Sequence, residues 1–418
     1  MDNPAQQFDV IVAGAGMTGA TLALALARAG LKVAAVDAMP LESRVDPVFD
    51  GRASAVSYSA FRQWRTLGLG EVLEPVAQPM NAILVTDGPS PGAGAGAPVP
   101  VFLRFDAAEI ADRNDGEPLG WMVENRHIKA ALSAALVEAG VAVFAPVRVE
   151  AVETDPRGAR FRLADGRMLA APLAVGAEGR RSTVREAAGI GTFGWDYKQG
   201  GVVATVALER PHEGVAHEYF MPNGPLAILP LTENRASLVW TEKLDLARAL
   251  ATGSEEAFEA HLARRFGAFL GAPKLVGARG MFPLSLQIAD RMIGERVALI
   301  GDAAHGIHPV AGQGLNLGLK DAAALAEVIV DARRLGEDWG SVAVLERYAR
   351  WRRFDSITLA AAADVFVRVF STDNPLVRTV RGAGLALVNR IAPARRFFAR
   401  EAGGAVGEAP RLLRGEAL

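Results

Sequence analysis

Three glycines and an acid at fixed spacing are the first residues in the chain with chemistry to offer. Phe8 to Ala13 (FDVIVA) reads as a strand, Gly14-Ala15-Gly16-Met17-Thr18-Gly19 follows at once, and Asp37 stands 18 residues beyond Gly19. Gly14 permits a tight turn, Gly16 lets backbone approach a pyrophosphate, and Gly19 lets helix and strand pack closely. Met17 and Thr18 complete the motif and are expected to line the same site. Asp37 is placed to bind a ribose hydroxyl and argues against a 2′-phosphate there. The motif implies a dinucleotide and does not by itself say which one.

A second stretch, Gly301 to Ala322 (GDAAHGIHPVAGQGLNLGLKDA), organises the rest. It follows the apolar run Arg296 to Ile300 (RVALI), a buried strand, and leads into Leu315 to Val330, whose apolar residues recur at helical spacing. Asp302, directly after the strand, is placed to accept hydrogen bonds from a sugar or ribityl hydroxyl. A helix beginning near Gly312-Gln313-Gly314 directs unpaired N–H groups and the positive end of its dipole at what lies beneath it, which favours negative charge.

These residues carry a family resemblance. GD-AAH followed by HPVAGQGLNLGLKD is similar to the flavin-binding signature of the single-component FAD aromatic hydroxylases, which share the p-hydroxybenzoate hydroxylase-like fold. More narrowly it resembles the ubiquinone-biosynthesis hydroxylases. The resemblance implies non-covalent FAD, with NAD(P)H as transient reductant. It places Pro309, Gly312, Gly314, Leu315 and Asn316 at the flavin, with Pro309 and Gln313 as weak catalytic candidates. It also implies an arginine near the isoalloxazine or pyrophosphate at Arg52, and a flavin-facing one at Arg126. Leu173 to Ala177 is a buried strand ending in Glu178-Gly179-Arg180-Arg181, which resembles the family's Asp-Gly fingerprint for FAD and nicotinamide with the aspartate replaced by Glu178. That replacement keeps the carboxylate and weakens the inference about nicotinamide. The chemistry implied is cofactor-borne: NAD(P)H reduces FAD, oxygen adds to give a flavin C4a-hydroperoxide, and the distal oxygen passes to an electron-rich phenol ring.

The elements that must position these residues follow from length and pattern. With 418 residues the chain exceeds the roughly 250–300 residues at which one core stops growing, so two intertwined domains are expected. The expected class is α/β. Residues 1–81, 106–198 and 285–340 would form a Rossmann-like FAD-binding domain. Residues 82–105 and 199–284 would form an inserted antiparallel-sheet substrate domain, and 341–418 a helical C-terminal region. Within these, Thr21 to Ala29, Ser54 to Leu67 and Ile128 to Ala139 read as helices. Leu31 to Val36, Ala82 to Thr86, Val101 to Phe105 and Val141 to Val149 read as strands, as do Gly200 to Glu209, Glu218 to Met221, Leu226 to Leu231 and Ala236 to Glu242. Gly88 to Pro100 (GPSPGAGAGAPVP) reads as a loop between two strands. Val342 to Phe370 and Leu376 to Ile391 read as helices.

Composition excludes several function classes. A net charge of −2 supplies no basic field for nucleic acid, and the absence of cysteine removes disulfides, thiolate zinc sites and iron–sulfur clusters. His305 and His308 are three apart in a loop with no third ligand, so no metal is expected. No apolar run reaches about 18 residues, and Asp2 and Asp9 do not suit a signal peptide. The expected location is cytoplasmic, with peripheral contact at the inner face of the membrane as the variant. Pro375 to Phe398 mixes apolar residues with Arg378, Arg381, Arg390, Arg395 and Arg396. It reads either as a surface for anionic lipid or as helices packed between domains.

Three functions stay open on this reading. The first is hydroxylation of a polyprenylated phenol in ubiquinone biosynthesis, with O2 as co-substrate and the substrate reached at the membrane or through a ubiquinone-biosynthesis complex. The second is another reaction of the same fold, on a different aromatic or on a prenyl chain. The third is a non-catalytic FAD-binding assembly subunit.

Overall fold

The computed structural model describes residues 5–40, 51–87, 101–110, 116–221, 224–267, 269–307, 312–353 and 408–418. Its centre is a six-stranded sheet in the order Ile293–Gly294, Val297–Leu299, Leu173–Gly176, Val10–Ala13, Val33–Val36, Ala142–Phe144. Every pairing is parallel except the outermost one at Ile293–Gly294. The segments VIVA, VAAV and LAVG are buried at every residue, as strands covered on both faces must be. Helices Met17–Arg28 and Gln313–Arg334 cover one face, where Leu22, Leu24, Leu325 and Ile329 join a single core. The other face meets a four-stranded sheet whose Phe161, Leu163 and Leu169 pack on Ile11, Ala13 and Ala34.

An eight-stranded sheet lies beside this layer in the order His305–Gly306, Lys274–Ala289, Thr192–Ala207, Arg235–Lys243, Leu226–Leu231, Val215–Phe220, Ala82–Asp87, Val101–Asp106. It is antiparallel except where Val215–Phe220 runs parallel to Ala82–Asp87. Helices Leu244–Thr252 and Glu255–Phe266 cover one face, burying Leu250, Phe258 and Leu262 against Val202, Leu238 and Trp240. A three-stranded sheet, Ala53–Ser57, Gly120–Glu124 and Gln78–Met80, packs on part of the other, with Met80 and Met122 against Ala216 and Leu231. The 16-residue strands Thr192–Ala207 and Lys274–Ala289 join the two layers, and the second pairs with the turn after Val297–Leu299 through Gln287↔Gly306 and Ile288↔His305.

Some expected elements differ. Ser54 to Leu67 is not one helix: Ala53–Ser57 is a strand paired with Gly120–Glu124, and helix Tyr58–Thr66 starts after it, where Ser57 Oγ accepts from Ala60 N at 3.3 Å. The cap ends the strand and begins the helix. Val141 to Val149 splits into Ala142–Phe144 and Val149–Asp155, because Pro146 brings no N–H to a ladder. The helix expected from Val342 runs within 342–353. Its continuation, the Leu376 to Ile391 helix, the arginine-bearing stretch 375–398, the loop 88–100, His308 and Pro309 lie outside the described residues.

Candidate functional site

The glycines of the first motif divide by what a side chain would meet. Gly14 has φ +87°, and a Cβ there would stand 2.4 Å from Ala177 O; a Cβ on Gly19 would stand 1.9 Å from Gly14 O. Both are steric requirements of the strand–turn–helix itself. At Gly16 a Cβ would meet nothing within 4 Å, so this peptide borders open space. Helix Met17–Arg28 has no side-chain cap and no acid in its first turn, which leaves its N-terminal amides for an anion. Asp37 accepts from Ala15 N through Oδ2 and from Met39 N through Oδ1, both at 2.8 Å, so it braces the glycine turn.

Thr18 does something the motif did not announce. Its side chain lies against the second flavin-type segment: a Cβ on Gly301 would sit 3.4 Å from Thr18 Cγ2, and one on Gly318 would sit 2.6 Å from its Oγ1. Thr18 therefore packs helix Met17–Arg28 on helix Gln313–Arg334 and on the 3-10 turn Gly301–Ala303. Asp302 in that turn is half-exposed, its Oδ2 3.8 Å from Arg180 Nε.

Helix Gln313–Arg334 begins as expected, with Gly312 at φ +63°, no side-chain cap and no acid in its first turn. A Cβ on Gly314 would meet nothing within 4 Å, so the bare amides face open space. Leu315 packs on the core beneath, and Gln313 is half-buried at the first turn. Asn316 is committed to protein: Oδ1 accepts from Ser57 N at 2.9 Å and Nδ2 donates to Ala55 O at 3.0 Å. It fastens strand Ala53–Ser57 to the helix.

Beneath the turn lies a buried charge cluster of Asp321, His305 and Arg352. Asp321 accepts from Gly301 N at 3.0 Å and Arg352 Nε at 2.8 Å, and His305 Nε2 lies 2.6 Å from its Oδ2. Burial pushes the Asp321 carboxyl up, but His305 and Arg352 reverse that and hold it below the ordinary aspartate value. His305 is thus spent on Asp321. Asp321 and Arg352 escaped sequence reading because nothing in the spacing of an aspartate inside a helical run marks it as buried.

Glu178 is engaged by its own segment. Its carboxylate accepts from Ser182 Oγ, from Thr183 N at 3.1 Å and from Val184 N at 3.4 Å, capping helix Thr183–Ala187. Burial raises its pKa against the lowering effect of those donors. Gly179, at φ +84° with no atom within 4 Å of a would-be Cβ, leaves its backbone clear. Arg180, not singled out from sequence, does the joining. Nη1 donates to Ser285 O at 3.0 Å and Oγ at 2.6 Å, and Nη2 to Ile307 O at 3.3 Å. The only signal was its place in the Glu178-Gly179-Arg180 run.

Arg52 and Arg126 belong to a second group. Arg52 O accepts from Asn125 N at 3.0 Å, and Asn125 Oδ1 accepts from Ser54 Oγ at 2.7 Å. Asn125 is the first residue of helix Asn125–Glu138, whose N-cap is Glu124. Arg126 Nε lies 2.7 Å from Glu124 Oε2, and the buried Glu124 reaches Arg235 Nη2 of the large sheet at 2.7 Å through Oε1. The residues present fit a flavin dinucleotide: two bare helix N-termini, open space at Gly16 and Gly314, and acids at Asp37 and Asp302.

A parallel sheet bearing these two helix N-termini, joined to a large mixed sheet, is the architecture of the FAD-dependent aromatic hydroxylases. Crystalline p-nitrophenol 4-monooxygenase PnpA from Pseudomonas putida superposes with a TM-score of 0.78 over 95% of this chain and 98% of its own, at 21% identity. The chain belongs to the FAD binding domain family, whose model matches residues 7–357. The ubiquinone hydroxylase UbiL of Rhodospirillum rubrum is 44% identical over 98% of this chain and 93% of its own. The 3-demethoxyubiquinol 3-hydroxylase of Escherichia coli is 34% identical over 92% of this chain and 95% of its own.

Proposed function

We propose that this protein is an FAD-dependent monooxygenase that hydroxylates the aromatic ring of a polyprenylated phenol in ubiquinone biosynthesis, with NAD(P)H and O2 as co-substrates. The observation that carries the reading is the near full-length similarity to ubiquinone hydroxylases, combined with a glycine cradle whose open positions are the ones a flavin needs. FAD, when bound, supplies the redox chemistry and oxygen activation. The chain's own residues do the rest. Gly14, Gly16, Met17, Thr18 and Gly19 form the turn and helix end for the pyrophosphate, and Asp37 takes the ribose. Asp302 takes a ribityl hydroxyl, and Gly312, Gly314 and Leu315 set backbone N–H groups toward the isoalloxazine, where they favour negative charge. Arg180 and Asn316 position those segments, while Arg52 and Arg126 contribute positive charge at the edge of the site. Glu178 acts through the helix it caps.

On this reading residues 1–81, 106–198 and 285–340 hold FAD, and 82–105 with 199–284 cover the substrate. The support is that the six-stranded sheet draws on the first set and the large sheet mainly on the second. Among the described residues no helix is long and apolar enough to cross a membrane. The route expected for the substrate is peripheral contact with the membrane or a partner complex. The test is twofold. Removal of the gene should accumulate a prenylated phenol lacking one hydroxyl, read by mass spectrometry. The purified protein should then convert that compound with incorporation of ¹⁸O from O2. Replacing Asp302 with Ala should lower FAD occupancy on dilution. Full conversion in the deletion strain would sink the proposal.

A further inference from the structure

Strand Val215–Phe220 has two unlike faces. His217 and Tyr219 lie against Phe269, with ring centroids 4.7 and 6.1 Å away, on the side covered by helices Leu244–Thr252 and Glu255–Phe266. Successive side chains alternate across a strand, so Ala216, Glu218 and Phe220 point the other way. Ala216 packs with Met80 and Met122, whereas Phe220 packs with Tyr58 and Val85. Glu218 therefore stands at the seam between two apolar clusters. That seam faces the small sheet containing Ala53–Ser57, the strand that Asn316 fastens to the open N-terminus of helix Gln313–Arg334. The carboxyl is thus on the face of the large sheet over which the small sheet packs, and that small sheet is tied in turn to the helix end of the candidate flavin site.

It is also chemically isolated. Glu218 is 9% exposed, and among the described residues its carboxyl makes no hydrogen bond and no ion pair. The other buried acids differ: Glu124 has Arg126 and Arg235, Glu242 has Arg265, and Asp321 has His305 and Arg352. An unpartnered carboxyl in apolar surroundings costs stability, and groups held that way cluster where a ligand will meet them.

We propose that the Glu218 carboxylate accepts the hydrogen bond of the substrate's ring hydroxyl and takes its proton as oxygen is transferred to the ring. The inference rests on the reading of this protein as a phenol hydroxylase and names the residue that would recognise the phenol. In the step, the phenolic O–H bond breaks and a new O–H bond forms on a carboxylate oxygen. The electron pair stays on the phenolic oxygen, where it enriches the ring positions ortho and para to it. Burial pushes the Glu218 carboxyl up to about 8, closer to a phenol than an ordinary glutamate lies, so the ionised form that takes the proton is the minority form at pH 7 and kcat should rise as pH approaches about 8.

The test compares Glu218→Gln, which still accepts a hydrogen bond but takes no proton, with Glu218→Leu, which does neither. Turnover is measured on a short-chain prenylated phenol, and binding of that phenol and of its methyl ether is read from the flavin absorbance. Both variants should keep full FAD. In the wild type the phenol should bind about tenfold tighter than the ether. Glu218→Gln should lose about a hundredfold in kcat, and Glu218→Leu should also lose the preference for phenol over ether. A structural role alone would move the affinities for both ligands together. A Gln variant within twofold of wild-type kcat, or a Leu variant that still prefers the phenol, overturns the proposal while the hydroxylase reading stands. A wild type that binds FAD but neither prefers nor hydroxylates the phenol overturns the functional reading and this proposal with it.

Discussion

At the scale of single residues, the glycines are not interchangeable, and their differences give a direct experiment. Gly14 and Gly19 are demanded because a Cβ at either would run into backbone carbonyl oxygen, whereas Gly314 has nothing within 4 Å of a would-be Cβ. Gly314→Val should therefore change stability by no more than about 0.5 kcal/mol, yet weaken flavin binding or slow its reduction, because bulk at an open helix N-terminus blocks close approach. Melting of the apoprotein and flavin titration separate the two effects; an unchanged affinity and reduction rate would refute the placement. Glu218 makes a prediction of opposite sign on stability. Its folded pKa of about 8 is raised above the ordinary glutamate value of 4.5, so the folded state holds a proton that the unfolded state releases. Stability is then lost as pH rises from about 4.5 to 8, and is flat above that. Glu218→Gln should abolish this loss, giving a stabilisation that grows across that window to roughly 5 kcal/mol at most. Denaturant melts of both proteins at pH 5, 6.5 and 8 measure it, and a gain independent of pH would mean the carboxyl is not buried unpaired.

At the scale of elements, the parts read well from sequence were those whose causes are local. Leu226–Leu231 matches the expected strand, and the turn at Gly14 follows from a steric need within a few residues. Partners far apart in the chain stayed hidden. Asn316 is tied to Ser57 across 259 positions and Arg180 to Ser285 across 105, so neither carries a local signature of its role. The strand Ala53–Ser57 was misread for the same reason, since Asn316 and Gly120–Glu124, and not its own pattern, hold it extended. Asp321 shows what such a tie is worth. It supports Gly301 and lies against Arg352 and His305 in the interior, so Asp321→Asn should cost about 3–5 kcal/mol, because the buried Arg352 guanidinium loses its counter-charge. Its folded pKa lies below the unfolded value of 3.8, so the stability it adds is complete above that value and is lost only as pH falls through the folded pKa. The cost of the substitution should thus be constant between pH 6 and 8 and shrink in strong acid. A constant cost down to pH 2 would argue against the pairing.

At the scale of the molecule, function requires the large sheet to stay registered on the flavin layer, and two arginine bridges do this. Arg180 binds Ser285 on the strand that links the layers, and Glu124, at the start of helix Asn125–Glu138, binds Arg235 on the large sheet. The Glu124–Arg235 pair is the better probe, since their side chains are 3% and 12% exposed and solvent screens them little. In a double-mutant cycle with Glu124→Gln and Arg235→Gln, a coupling energy of about 1–3 kcal/mol is expected for groups in direct contact. The functional consequence differs from that of losing flavin contacts. FAD binding should persist in all three variants, because the two bare helix N-termini are untouched. Product formed per NAD(P)H consumed should fall, because a sheet free to shift admits water to the reaction layer and mispositions the ring. Additive stability costs together with wild-type coupling of reductant to product would show that the sheet is held in place by apolar packing alone.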